Sequence, residues 1–479
     1  MEGHGILGIG TLIDGVTRQV ELISDGVSET LFEPVIRLGV TGLSRAGKTV
    51  FITSLVANLL DRGRMPALQA ASQGRIESAF LQPQPDDLVP RFEYEKHLSA
   101  MTGPNPHWPE STRAISQLRL SLRVAPAGVL SAIKSARTVH IDIVDYPGEW
   151  LLDLPLMEQS FEQWSQGAIA LAQKPSRAPF AAEWLALLEL VDPEVELDEP
   201  QAQKLAAAFT AYLQAARESG LSACAPGRFL MPGDLAGSPA LTFAPLPAGK
   251  YPRNSLGRAF ARRYETYKSG VVRPFFRDHF SRIDRQVVLV DALGAIHAGP
   301  QAVGDLRDAL ADILSCFKTG RNGFLSALRG KSVERILFAA TKADHLHHHQ
   351  HPALTAIMGA LVRSARDKAT YQGAQTDAMA LASLRATVEE TRSHDGETLD
   401  LVRGKLLSTG KQAAMYPGRL PEDPAVLLKP AEQGAERWLD NDYAIMGFAP
   451  AEVSLKAGDG PPHIRLDRAA EFLIGDRLI

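Results

Sequence analysis

Val35-Ile36-Arg37-Leu38-Gly39-Val40-Thr41 runs directly into Gly42-Leu43-Ser44-Arg45-Ala46-Gly47-Lys48-Thr49, and an apolar stretch from Val50 to Leu60 follows. The first seven residues read as a buried strand and the last eleven as a helix. The pattern Gly-x-x-x-x-Gly-Lys-Thr between them stands in the strand-to-helix setting in which it cradles phosphates. Its glycines let backbone N–H groups turn inward around phosphate oxygens, and the helix N-terminus adds partial positive charge. On this reading Gly42, Ser44, Arg45, Ala46, Gly47, Lys48, Thr49 and Val50 form the cradle. Lys48 reaches the β and γ phosphates, and the Thr49 hydroxyl is a ligand for Mg²⁺.

Outward from this loop, residues 61–112 read as a long connection rich in Pro, Gln and Asp, with a short helix around Phe92–Met101. Ile115–Val124 and Thr138–Val144 alternate apolar and polar residues about a turn near Ala125–Gly128, which predicts a β-hairpin. Between Trp150 and Asp284 strand signals vanish, and helical patterns occupy Gln159–Leu171, Ala181–Leu190, Gln203–Arg217 and Gly257–Phe280. Strands return at Gln286–Val290, Arg335–Ala340 and Ala378–Leu381, separated by helical Ala302–Phe317 and Leu354–Arg366. Such alternation predicts an α/β fold: a mostly parallel sheet with a long all-helical insertion. Weaker signals suggest strands near Leu399–Leu407 and Gly447–Leu455 and a closing helix at Asp467–Arg477. Thr11 to Ser24 carries Leu12, Val16, Val20 and Ile23 at helical spacing, an amphipathic arm. The expected division is an arm at 1–33, the first part of the core at 34–149, a helical insertion at 150–284, the second part at 285–390, and an extension at 391–479.

Asp145-Tyr146-Pro147-Gly148 closes the hairpin. An Asp there can hold the Mg²⁺ shell, and the Gly148 N–H can sense the γ-phosphate. Asp291-Ala292-Leu293-Gly294 matches the same pattern, but the order of elements favours Asp145 and leaves Asp291 a strand-end role. Thr341-Lys342-Ala343-Asp344 follows an apolar strand. In GTPases such an element reads guanine, its carboxylate accepting hydrogen bonds from ring N1–H and the exocyclic amine, while the lysine stem covers the base. Ala382-Ser383-Leu384-Arg385 is a loose version of the element that supports guanine through backbone contacts. Just before the hairpin, Thr112 is the candidate switch hydroxyl for Mg²⁺ and the γ-phosphate, with Ser111 next and a turn or cap as the alternative. Glu149, directly after this Asp-x-x-Gly element, is a candidate for polarising water; otherwise it is an exposed or salt-bridged glutamate.

These blocks together carry a resemblance. Their order looks like the G domain of translation-factor, Ras and dynamin-like GTPases. More narrowly, GLSRAGKTVFITSL at 42–55, DYPGEWLLDLPL at 145–156 and ATKADHLHH at 340–348 resemble the YcjX family of bacterial stress-associated GTP-binding proteins. The resemblance implies GTP and GDP with Mg²⁺ as ligands, and a YcjF-like inner-membrane protein as partner. Arg45 stands where atlastin-like and guanylate-binding GTPases carry an internal arginine finger, often ordered by a homodimer; otherwise it is a solvated loop arginine or one salt-bridged to the insertion. The expected activity is therefore GTP hydrolysis to GDP and phosphate, with 61–112 and 145–156 switching on the γ-phosphate. A nucleotide-binding scaffold without turnover is the alternative from another class. An ATPase or small-molecule kinase lacks any recognisable acceptor motif here.

Bulk properties agree. The 479 residues are 45% hydrophobic and 22% charged, with net charge −4, so no global basic field favours nucleic acid. Cys224 and Cys316 alone build no disulfide scaffold or CxxC metal site, as expected of a reducing cytoplasm. Neither a secretory signal nor a membrane span is expected, which leaves a cytoplasmic protein with peripheral attachment at the inner membrane open. The five histidines within 345–351 invite a metal reading, but nearby sequence offers only Asp344 as an acidic partner, so a polar loop beside the pocket is the simpler expectation.

Overall fold

The computed structural model describes residues 33–479 except 44, 111–113, 128–134, 316–332, 372, 395, 439–442 and 454. The amphipathic arm at 11–24 therefore lies outside the described residues. Seven strands form one sheet: β1 (Val35–Gly42), β2 (Ile76–Gln82), β3 (Ser116–Val124), β4 (Arg137–Asp145), β5 (Arg285–Val290), β6 (Arg335–Ala340) and β7 (Gln375–Ala380). Their order is β2-β3-β4-β1-β5-β6-β7. The five strands from β4 to β7 run parallel, while β3 is antiparallel to both of its neighbours. A parallel sheet must be covered on both faces, and all six residues of β5 are buried. Helix α1 (Lys48–Leu60) and the closing helix α10 (Leu466–Ile474) share one core with the sheet. Helices α7 (Pro300–Ser315) and α8 (His351–Leu361) cover the other face. This is the expected α/β architecture.

The expected hairpin is β3 and β4, paired from Ser116–Asp145 to Val124–Arg137. The expected helix in the long connection is α2 (Tyr94–Thr102). Strand β2 was not expected. It is an edge strand with only Ile76 buried, so its own sequence lacks clean alternation and its pairing with β3 decides its state.

After Gly148 the chain forms a 3₁₀ segment, Gly148–Glu158, and then helices α3 (Phe161–Ala172), α4 (Ala178–Glu189), α5 (Glu199–Glu218) and α6 (Leu256–Tyr267). Side chains cap the starts of α3, α5 and α6: Ser160 and Gln163 form a capping box, and Asp198 and Ser255 accept from Gln201 and Arg258 N–H. Aromatic rings fill the interior, Trp164 stacking on Tyr264 at 5.1 Å and Trp184 on Tyr212 at 5.6 Å. The same core takes in Tyr146, Trp150 and Leu152, so 145–156 and the insertion bury their apolar surface together.

Near the C-terminus β8 (Val388–His394), β9 (Glu397–Lys405) and β10 (Gln412–Met415) make a small antiparallel sheet, and helix α9 (Ala425–Glu432) packs on α7. The strand expected at Gly447–Leu455 does not form. Leu407 N–H donates to Gly447 O at 2.9 Å and Ala449 N–H to Lys405 O at 2.8 Å. Pro450, next in line, has no N–H to continue a ladder.

Candidate nucleotide site

Gly42 ends β1 opposite Leu289, and Val40 pairs with Asp145, so the tips of β1, β4 and β5 lie side by side. The loop between β1 and α1 turns through left-handed backbone at Arg45 (φ 63°) and Gly47 (φ 81°). Nothing lies within 4 Å of where a Gly47 side chain would begin, so that position opens onto free space. Lys48 Nζ crosses the loop and donates to Gly42 O at 2.9 Å. Ala46 and Thr49 are buried and Arg45 is exposed. Asp145 is buried at the tip of β4. Ser44 and Thr112 lie outside the described residues.

A cavity of about 360 Å³ joins this loop to the second set of expected residues. Arg45 to Val50 line one end; Thr341, Lys342, Asp344 and Ser383 line the other. Its size falls in the range of small-molecule sites. Asp344 Oδ2 accepts from Ala386 N–H at 2.8 Å, and Asp344 O accepts from the Thr387 hydroxyl, so 341–345 and 382–387 are tied into one unit. Lys342, at φ 60°, forms an ion pair with Asp291 Oδ2. Asp291 also caps a helix by accepting from Gly294 N–H at 2.9 Å. The second Asp-x-x-Gly match thus has the strand-end role expected of it, and it positions a pocket lysine as well.

Six lining residues were not singled out in the sequence: Trp108, Pro109, Glu110, Leu407, Gly447 and Phe448. Trp108 Nε1 donates to Phe448 O at 2.7 Å, so the connection before the hairpin and the C-terminal extension meet over the pocket. The buried His345 ring stands edge-on to Phe448 at 5.2 Å, and burial pushes its pKa below the usual histidine range. No local pattern marks Phe448, because its role depends on a contact with a residue 340 positions away.

The segment after Asp145 faces the insertion. Glu149 is 4% exposed and accepts from Arg217 Nη2 of α5 at 2.7 Å. This is the salt-bridged alternative. The Arg228 guanidinium lies 3.1 Å above the Trp150 ring, and Trp150 Nε1 donates to Met231 O at 3.0 Å. Arg45 lines both the 360 Å³ cavity and a smaller one of about 130 Å³, which it shares with Glu149, Arg217 and Asp291.

Asp153 is fully enclosed, accepting from Gly227 N–H at 2.7 Å and from Tyr267 Oη at 2.6 Å. Burial nevertheless pushes its carboxyl up to about 6, above the usual 3.8. A carboxyl raised on folding binds its proton more tightly in the folded state, so its contribution to stability falls as pH rises between these values. Asp153→Asn removes that dependence. Between about pH 5 and about pH 7.5, wild type should lose on the order of 1 kcal/mol relative to the variant in chemical denaturation. Parallel stability profiles would contradict this.

Comparison with known proteins agrees with this arrangement. The model of the YcjX-like family, DUF463, matches residues 36–478. A protein named Ras-like GTPase YcjX from Escherichia coli (strain K12) is 38% identical over 471 residues, covering 95% of this chain and 98% of that protein. One of the same name from Shewanella oneidensis is 33% identical over 470 residues, covering 92% and 94%. Among the described residues no helix is long and apolar enough to cross a membrane. With the sheet order, the phosphate-loop geometry and these matches in agreement along nearly its whole length, the chain belongs to the YcjX-like family.

Proposed function

We propose that the chain binds guanine nucleotide and hydrolyses GTP to GDP and phosphate, and that its helical insertion responds to the nucleotide. One observation carries this reading: a single cavity is lined at one end by Arg45 to Thr49 and at the other by Lys342, Asp344 and Ser383. Lys48, aimed across the loop at Gly42 O, is set to exchange that carbonyl for phosphate oxygens. Asp344 presents a carboxylate to the donor edge of guanine. The Thr49 hydroxyl and the Asp145 carboxylate are hard oxygen donors of the kind Mg²⁺ prefers. When bound, Mg²⁺ supplies neutralising charge on the β and γ oxygens. Glu149, engaged by Arg217, is a weak candidate for orienting water in this state. Arg45, exposed and bordering the cavity, is the stronger candidate for stabilising charge between the phosphates.

The Glu149–Arg217 pair also favours a second reading, in which this conformation holds nucleotide without turnover and acts through a partner, as the family's link to bacterial stress responses suggests. Phosphate release measured with GTP and with ATP tests the first. GTP should be hydrolysed in preference to ATP, and turnover rising with protein concentration would support an Arg45 finger ordered by a second copy. Lys48→Ala should weaken GTP binding about 100-fold, the value of a lost charge-assisted contact, and abolish release. Equal rates with GTP and ATP would refute the guanine assignment; retained GDP without turnover would select the scaffold.

A further inference from the structure

The histidine run divides in two. His345 packs on Phe448, and the His351 ring lies 2.8 Å from Ala343 O, so both are built into the loop. His347, His348 and His349 do neither. Their ring centroids are 4.2 to 4.5 Å apart, and each offers one ring nitrogen such that the three lie within 4.8 Å of one another.

The sequence near this run offers only Asp344 as an acidic partner, and the fold supplies two more. Glu389 on β8 lies opposite Val402, and Asp400 on β9 lies opposite Thr391, which places both carboxylates on one face of the hairpin as diagonal neighbours. His348 Nδ1 is 2.6 Å from Glu389 Oε2 and His349 Nδ1 is 2.9 Å from Asp400 Oδ2. His347 is buried, its Nε2 3.7 Å from Glu389 Oε2 and its Nδ1 3.7 Å from Asp400 Oδ2, and Nδ1 also accepts from His349 N–H at 3.5 Å.

We propose that His347, His348 and His349, held by Glu389 and Asp400, form a binding site for a divalent transition cation of the Zn²⁺ type. Imidazole nitrogen is a preferred donor for such ions. At His348 and His349 a carboxylate on Nδ1 fixes the ring and the tautomer that leaves Nε2 free as a lone-pair donor, the usual outer support of a metal-bound histidine. Tetrahedral Zn²⁺ at about 2.1 Å from each nitrogen requires nitrogens about 3.4 Å apart, so modest side-chain rotation closes the set. The fourth position is left to water, since His348 and His349 are more than half exposed. Such an ion would pin the loop following Asp344 to the hairpin that begins just after Ala386 and Thr387, both of which bond Asp344.

The site is tested by titrating Zn²⁺ into the untagged, nucleotide-free full chain by calorimetry, a readout independent of any GTPase activity. Wild type should bind one ion per chain. H348A/H349A should abolish that binding, and E389Q/D400N should weaken it 10- to 100-fold, with each variant melting normally without metal. Binding by wild type no tighter than by H348A/H349A would overturn the proposal. So would unchanged affinity in E389Q/D400N, which would mark exposed imidazoles collecting metal adventitiously.

Discussion

Asp344→Asn should bind GTP at least 100-fold more weakly than wild type and should gain affinity for xanthosine triphosphate by a similar factor. The carboxylate offers acceptors only, and guanine presents two donors on the facing edge, N1–H and the exocyclic amine. Asparagine turns one acceptor into a donor, which opposes a guanine donor but matches the carbonyl that xanthine carries in place of the amine. Sites built around such hydrogen bonds reject mismatched bases strongly, because a buried polar group is left unpaired. The substitution is suited to Asp344 because one carboxylate oxygen already accepts from Ala386 N–H at 2.8 Å. The asparagine carbonyl can keep that bond, so the loop stays in place while the amide faces the base. Competition between fluorescent GDP and unlabelled GTP or XTP measures both affinities. An unchanged GTP-to-XTP ratio, in a variant that melts like wild type, would remove Asp344 from base recognition.

The core of this architecture is readable from sequence because its signals are local. The Gly42–Thr49 pattern lies between a buried strand and a helix, and β5 and β6 carry the apolar runs Val287–Val290 and Ile336–Ala340 within strands that are wholly and nearly wholly buried. The closing helix at Leu466–Ile474 was legible for the same reason, its apolar residues repeating with helical period. What stayed hidden depends on contacts distant in sequence. Strand β2 exists because β3 offers it an edge. Trp108 and Phe448 enter the pocket together across 340 positions. Glu389 and Asp400 approach the histidines only after the chain has completed β7 and folded back as a hairpin. Arg217, within an ordinary amphipathic helix, gave no sign that it would meet Glu149.

The phosphate loop and the insertion are joined by two close backbone approaches on either side of Glu149. A Cβ added at Gly148 would lie 1.8 Å from Gly42 O, and one added at Gly227 would lie 1.8 Å from Glu149 O. Neither contact tolerates any side chain, so glycine is required at both positions for closeness rather than for flexibility. Gly42 O is also the acceptor of Lys48 Nζ, which links the first approach directly to the phosphate loop. The second fastens the insertion onto the 3₁₀ segment, beside the Asp153 bonds to Gly227 N–H and Tyr267 Oη.

Gly148→Ala and Gly227→Ala should therefore fail in different ways. In Gly148→Ala the 3₁₀ segment must retreat from the phosphate loop by more than an ångström, since neither partner is a flexible side-chain end. Displacement on that scale at a reacting site costs about 100-fold in rate or more, and the loss should appear in GTP turnover and in the preference for triphosphate over diphosphate. In Gly227→Ala the phosphate loop, Lys48 and Asp344 are untouched, so nucleotide affinity should stay within a few-fold of wild type. The insertion is instead pushed off residues 148–158, so amide exchange there and in α5 should rise, and the Glu149–Arg217 pair should loosen. Hydrogen exchange with GDP and with a non-hydrolysable GTP analogue reads both effects. If the insertion transmits nucleotide state through these contacts, wild-type exchange in α5 will differ between the two nucleotides and the difference will vanish in Gly227→Ala. A nucleotide-dependent difference of the same size in wild type and Gly227→Ala would show that the insertion senses nucleotide by another route, and no difference in wild type would show that it does not sense it at all.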